Sequence, residues 1–168
     1  MIQRRRHMRV INDEQNTVSD FSLKLAFASV GLQEVNQHFG LAQGFAIYEI
    51  TADGSSMVEV AGFDEQKSYE PGHSEDKLTD KIELVKDCIA VYSNAVGPRA
   101  VSRLLECGIH PIKVDVGTPI SEIIDSLQQS IQSEDLPGWV LRALASKNKH
   151  KEDSTRFDKM FEQEWSEG

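Results

Sequence analysis

The sequence predicts a three-layer α/β/α domain built on a five-stranded mixed sheet, in the element order βββαβαβαα. Three observations carry this. Two apolar runs of strand length, LKLAFASV (23–30) and CIAVYS (88–93), contain between them a single charge, Lys24, as strands buried on both faces do. An Asp-Gly turn, ADGS (52–55), joins two further strand-like segments into an antiparallel hairpin. The later strands are separated by helix-length segments, which requires parallel crossovers and places helices on both faces of the sheet.

The elements follow in order. Residues 1–21 carry Arg4, Arg5, Arg6 and Arg9, then the polar INDEQNTVSD, and are expected to form a flexible basic arm. The first strand (23–30) leads into the loop QEVNQHFG (33–40), followed by a second strand, GFAIYEIT (44–51), and a third, SMVEVAGF (56–63). The polar DEQKSYEPGH (64–73) breaks at Pro71-Gly72. Ser74 then suits an N-cap, Glu75 and Asp76 suit the positive end of a helix, and Leu78, Ile82 and Val85 share one face of a helix over 75–86. CIAVYS is the fourth strand. Pro98 opens the next helix and Gly108 stops it. PIKVDVG (111–117) is the fifth strand. Pro119 and Ser121 begin a helix with the stripe Ile120, Ile123, Ile124, Leu127 and Ile131, and Pro137 begins a short last helix, GWVLRALAS. The domain is expected to span 22–146. From Lys147 onward charge dominates, and 147–168 reads as a charged tail, helical in part, in which Phe157, Met160, Phe161 and Trp165 recur at helical spacing.

Composition narrows the function. At 168 residues and 39% hydrophobic, the chain buries a real core. A net charge of −9 excludes a general nucleic-acid binder, which needs a basic face. No run approaches the roughly 18 apolar residues of a membrane span, and the basic start is followed by polar residues where a signal peptide needs an apolar stretch. A cytoplasmic protein without membrane contact is expected, and nothing demands more than a monomer. Cys88 and Cys107 are then expected to be reduced, packed thiols. Two scattered cysteines do not hold an iron–sulfur cluster, which normally takes about four thiolates.

In a sheet of this connectivity the carboxyl ends of the first and fourth strands lie side by side, and their loops diverge around the crevice where open α/β sheets bind ligands. Residues 31–40 and 93–99 line it, with 115–119 nearby. His38 faces that place, flanked by Asn36, Gln37, Phe39 and Gly40 and opposed by Ser93 and Asn94. Gly97-Pro98-Arg99 opens a helix whose N–H groups, together with the Arg99 charge, favour an anion. An imidazole beside such a helix start suits a ligand both metallic and negative, with Asn36 or Gln37 orienting the second ring nitrogen. A lone loop histidine also reads as a solvated or helix-capping residue, and the residues leave both readings open. Enzyme signatures are missing: the sequence holds no G-x-S-x-G, H-E-x-x-H, P-loop or C-x-x-C. Ser29 and Ser93 have no Asp-His pair placed to activate them, and the central strands lack the carboxylates of a two-metal nuclease. His73 and His110 read as structural. A protein without turnover is expected.

KLAFASVGLQEVNQHFGLAQGFAIYEI resembles the opening of the nitrogenase iron-molybdenum cofactor carrier family, the NifX, NifY and NafY core proteins. Members read K-x-A-F-A-S, then D-Q-H-F-G, then F-x-I-Y. The likeness continues through DCIAVYSNAVGPRAVSRLLECGIHPIKV to GWVLRAL, covering about residues 22–145, and the short arm and ending are most similar to the NifX branch. The resemblance implies a ribonuclease-H-like domain that carries the iron-molybdenum cofactor or its iron–sulfur precursor. Its partners would be the cluster-synthesising enzyme and scaffold of cofactor assembly, or apo-dinitrogenase. The family's motif histidine falls on His38, which would ligate an iron of the cluster. The motif aspartate is Asn36 here, an amide that hydrogen-bonds but neither raises the basicity of His38 nor balances metal charge. A carrier that surrenders its cluster needs one or two bonds and a complementary surface, with Arg99 balancing the anionic charge. Two other classes remain: an interaction factor of nitrogenase assembly without metal, and a hydrolase using the same crevice.

Overall fold

Leu23, Leu25 and Phe27 point to one side of their strand, Ala26 and Ala28 to the other, and all five are fully buried. Strand β1 (Leu23–Ala28) therefore runs through the middle of a sheet covered on both faces. The computed structural model describes residues 21–62 and 74–166, without the side chains of 74–76, 150–151 and 157–166. The basic arm, Pro71-Gly72, His73, the Ser74, Glu75 and Asp76 side chains, and those of Phe157, Met160, Phe161 and Trp165 lie outside the described residues.

The order along the chain is β1, β2 (Glu34–Val35), a 3-10 turn (Phe39–Leu41), β3 (Gly44–Ile50), β4 (Ser55–Gly62), α1 (Ser74–Leu84), β5 (Ala90–Ser93), α2 (Pro98–Glu106), β6 (His110–Lys113), β7 (Thr118–Pro119), α3 (Ile120–Gln132) and α4 (Gly138–Ser166). The main sheet runs β4-β3-β1-β5-β6. Its first part is an antiparallel meander and its second part is parallel, with Phe27 opposite Ala46 on one side and Tyr92 on the other. This is the mixed five-stranded α/β sheet that the apolar runs and the Asp-Gly hairpin predict. Thr51 N–H closes the hairpin on the Gly54 carbonyl at 2.8 Å.

Each face has its own core. Ala26, Ala28, Phe45, Ile47 and Val91 meet Ile82, Val85, Ala100 and Leu104 on the α1/α2 side. Leu25, Phe27, Ala46, Ile50 and Tyr92 meet Ile120, Ile124, Leu127, Ile131, Val140 and Ala143 on the α3/α4 side. In this second core Phe27 stacks on Tyr92 with centroids 5.0 Å apart, Tyr92 meets the edge of Trp139, and Trp139 stacks on His110 at 5.5 Å. These rings tie α4 to the sheet. Among the described residues no helix is long and apolar enough to cross a membrane.

Four local features depart from the pattern read in the sequence. The first strand ends at Ala28 rather than residue 30, because Gly31 and Leu32 both take positive φ (86° and 64°) and turn the chain away. The fifth strand ends at Lys113 rather than 117. A turn closed by Thr118 N–H on the Asp115 carbonyl intervenes, and Thr118–Pro119 then pairs with Glu34–Val35 in a separate two-stranded sheet. Helix α4 continues past residue 146 to Ser166, so the change at Lys147 is one of charge, not of backbone; the Lys147 ammonium also donates to the Lys86 carbonyl. Cys88 is buried as expected, its thiol pushed up to about 12 chiefly by burial, whereas Cys107 is exposed at the end of α2.

Two stability predictions follow from these contacts. Glu134, just past the end of α3, is exposed and holds φ 56°. The left-handed region costs an L-residue more than the extra chain entropy that glycine loses, so Glu134→Gly should gain about 0.5–1 kcal/mol. In thermal melts that is a rise in Tm of roughly 2 °C. The second concerns acid. Burial, and then the Arg142 charge, hold His110 below its ordinary 6.5. The unfolded chain therefore takes up this proton first, and stability falls as pH drops from 7 toward the lowered folded value. His110→Phe should show a shallower loss of Tm between pH 7 and 5 than the wild type; equal slopes would remove His110 from the acid response.

Candidate functional site

Between β1 and β3 the chain crosses the carboxyl edge of the sheet. Val35 is buried in the α3/α4 core and Phe39, four positions later, in the α1/α2 core, where its ring lies 5.5 Å from that of Phe45. Residues 36–38 therefore bridge two hydrophobic layers directly above β1 and β5. The loop leaving β5 meets them there. Asn94 N–H donates to the Gln37 carbonyl at 2.9 Å, and Phe39 N–H donates to the Ala95 carbonyl at 2.8 Å. The two loops expected to diverge around a crevice are thus stitched together into a crest, because the bridging peptides need partners that the sheet itself does not offer.

Asn94 is the centre of the stitching. It is buried, and its amide nitrogen donates to the carbonyls of Val35 (3.0 Å) and Val114 (3.2 Å), joining three loops. Its Oδ1 is buried and finds no hydrogen-bond donor among the described residues. Ser93, also buried, donates its hydroxyl to the Ala95 carbonyl at 3.1 Å. The structure places Ser93 and Asn94 under the crest as braces. The expected segment 115–119 is brought in as well: Gly117 N–H reaches the Val35 carbonyl at 2.9 Å, through the β2–β7 pairing.

Asn36 and Gln37 take up neither side of the His38 ring. Asn36 makes a two-point bond to the backbone of Val30: its Oδ1 accepts from Val30 N–H and its Nδ2 donates to Val30 C=O, both at 2.8 Å. Gln37 Oε1 accepts from Gln43 N–H at 3.1 Å. The expectation that one of them orients the imidazole is corrected here, since a loop this tight uses its amides to satisfy its own backbone. His38 occupies the N-cap position of the 3-10 turn (φ −75°, ψ 145°) but its side chain caps nothing. It is exposed, between a tethered Gln37 and a fully buried Phe39. The capping alternative for this residue is not realised. Gly40 is exposed and its carbonyl accepts from the ammonium of Lys81 on α1. Lys81 is a contact that the sequence did not suggest.

Arg99 lies at the second position of α2, exposed, after the N-cap Gly97 and Pro98. Helix α2 starts three residues beyond Ala95, the residue bonded to Phe39, so its first-turn N–H groups begin beside the crest. Among the described residues no group of three or more His, Cys, Asp and Glu is arranged to hold a metal ion. The chemistry this crest offers is one imidazole donor on a fixed turn, near the positive end of a helix.

Residues 22–130 match the family model described as dinitrogenase iron-molybdenum cofactor. The chain belongs to that family. It is 37% identical over 162 residues to protein NifX of Azotobacter vinelandii, a match covering 96% of this chain and 97% of that one. With protein NifX of Herbaspirillum seropedicae the identity is 38% over 123 residues, 73% of this chain and 82% of the relative. Protein NifY of Azotobacter vinelandii is 26% identical over 128 residues, 74% of this chain and 49% of its own length. The span matching this family model contains the crest, α1 with Lys81, α2 with Arg99, and the β2–β7 pair.

The two-point bond of Asn36 yields a prediction. In Asn36→Asp one carboxylate oxygen still accepts from Val30 N–H, but the other faces the Val30 carbonyl, acceptor against acceptor. The variant should lose about 1 kcal/mol at pH 8. The loss should shrink at pH 5, where the strained carboxyl more readily takes a proton and donates it to that carbonyl. Melts at the two pH values, each against wild type, measure it.

Proposed function

We propose that this protein is a non-catalytic carrier that holds the iron-molybdenum cofactor, or its iron–sulfur precursor, on the 36–40 crest while the cofactor is assembled. His38 gives an imidazole nitrogen to one iron of the cluster, and Arg99 with the start of α2 balances its negative charge. The carrier works in the cytoplasm as a monomer, receiving cargo from the cluster-synthesising enzyme or scaffold and delivering it to a later assembly protein or to apo-dinitrogenase. The observation that carries this reading is the placement of His38: exposed itself, on a turn whose neighbouring residues are tied down. A fixed donor costs little ordering entropy when it binds. A single donor keeps the cargo exchangeable, as a carrier requires. Membership in the dinitrogenase iron-molybdenum cofactor family, and the extended likeness to NifX proteins, support the choice of cargo.

The test is anaerobic. Protein is mixed with isolated cofactor precursor and passed through a desalting column, and iron co-eluting with it is assayed for wild type and His38→Ala. Because His38 is exposed and caps nothing, the variant should melt within about 1 °C of wild type. Wild type should retain iron and His38→Ala should lose most of it, a drop of about tenfold, as for the loss of a metal-site contact. Equal retention by both proteins would remove His38 as the anchor. No iron on either would overturn the carrier reading in favour of an interaction factor.

A further inference from the structure

A three-residue 3-10 turn does not hold its own shape. The one that follows His38 is closed by Leu41 N–H on the His38 carbonyl at 3.2 Å and Ala42 N–H on the Phe39 carbonyl at 3.3 Å, both long. Its order must come from outside. Three ties are described above: the Phe39 ring in the core, the Phe39–Ala95 backbone bond, and the Gln37 side chain on Gln43 N–H. A fourth reaches the turn from α1. Lys81, 41 residues further along the chain, donates its ammonium to the Gly40 carbonyl.

Lys81 is an unusual residue for its place. It is 8% exposed, on α1, beside Ile82 and near Val85, whose side chains fill the same core as Phe39. Burial, and then the charge of Lys77 one turn earlier, lower its affinity for a proton. A position needing only packing is filled at less cost by leucine or methionine. A lysine there adds a charge-assisted hydrogen bond to a carbonyl two residues from His38. We infer that Lys81 is the positioning residue of the crest: its ammonium, bonded to the Gly40 carbonyl, fixes the 3-10 turn and with it the direction in which the His38 imidazole is presented. What His38 then holds rests on the carrier reading above.

The experiment uses Lys81→Met, which keeps the unbranched stem, Lys81→Arg, which restores a donor, and Val140→Ala, which weakens the core on the opposite face of the sheet. Two readouts are taken on each full-length protein: amide hydrogen exchange at Leu41 and Ala42 without cargo, and retention of the iron–sulfur precursor. Removing a hydrogen bond to a charged donor should speed exchange at these two amides by about tenfold in Lys81→Met. Iron retention should fall about threefold, as for a modest misplacement of a ligand, roughly halfway on a logarithmic scale to the loss in His38→Ala. Lys81→Arg should recover most of both, and Val140→Ala should lower Tm while leaving both unchanged. The inference is overturned if Lys81→Met exchanges like wild type, if it exchanges faster yet retains iron fully, or if Val140→Ala loses as much iron. Should wild type retain no iron at all, the carrier reading fails on its own, and unchanged exchange in Lys81→Met would still overturn the role of Lys81 in holding the turn.

Discussion

The backbone between Val35 and Phe39 must pass from one hydrophobic layer to the other over the end of the sheet, and it can do so only if its peptide groups find partners on the way. Ala28, Ala95 and Gly117 supply some of them, and Asn94 supplies two. Its side chain takes the carbonyl of Val35 and its main chain takes that of Gln37, while the next residue accepts from Phe39. Aspartate in its place would bring a buried charge and no donor, and leucine would leave the Val35 carbonyl to Gly117 N–H alone and take the Asn94 donor from the Val114 carbonyl. The crest, the small β2–β7 sheet and the start of α2 all take their positions from this one bracket.

Around it the side chains divide into those that hold and one that is held out. Val35 and Phe39 are driven into separate cores by burial, each worth about 2–3 kcal/mol. Asn36, Gln37 and Ser93 spend their polar groups on nearby backbone. His38 alone among residues 35–39 is exposed. The arrangement explains how a loop without regular secondary structure presents an imidazole in a defined place, as sites built on rigid supports require.

Much of this was legible in the sequence. Charge-free strands, an Asp-Gly hairpin and proline-opened helices determine the layers, and the connectivity alone places His38 above β1 and β5. The rest needed partners that local pattern does not encode. A two-residue pairing such as Glu34–Val35 with Thr118–Pro119 has no periodicity to read. Asn36 looked like a partner for His38 because it is near in sequence, but its amide fits the backbone of Val30, a match decided by the positive φ of Gly31 and Leu32. The stripe of α1 legible in the sequence is Leu78, Ile82 and Val85, and nothing in that pattern marks Lys81 as buried. Its burial depends on how closely α1 packs against a turn 41 residues away. The last helix, read as the short GWVLRALAS, runs on to Ser166, since lysine and glutamate are good helix formers.

The exposure of a lone imidazole above so much fixed structure bears on kinetics as well as on affinity. On the carrier reading, a cluster held by one nitrogen would enjoy no chelate effect, and its iron would be open to attack from the solvent side. An acceptor could then add its own donor before the imidazole departed, and the exchange would be associative, its rate growing with acceptor concentration. Nothing in the crest has to unfold for this to happen. As a carrier, such a protein would be emptied by meeting its recipient rather than by the passage of time, and the cargo would never travel naked between the two.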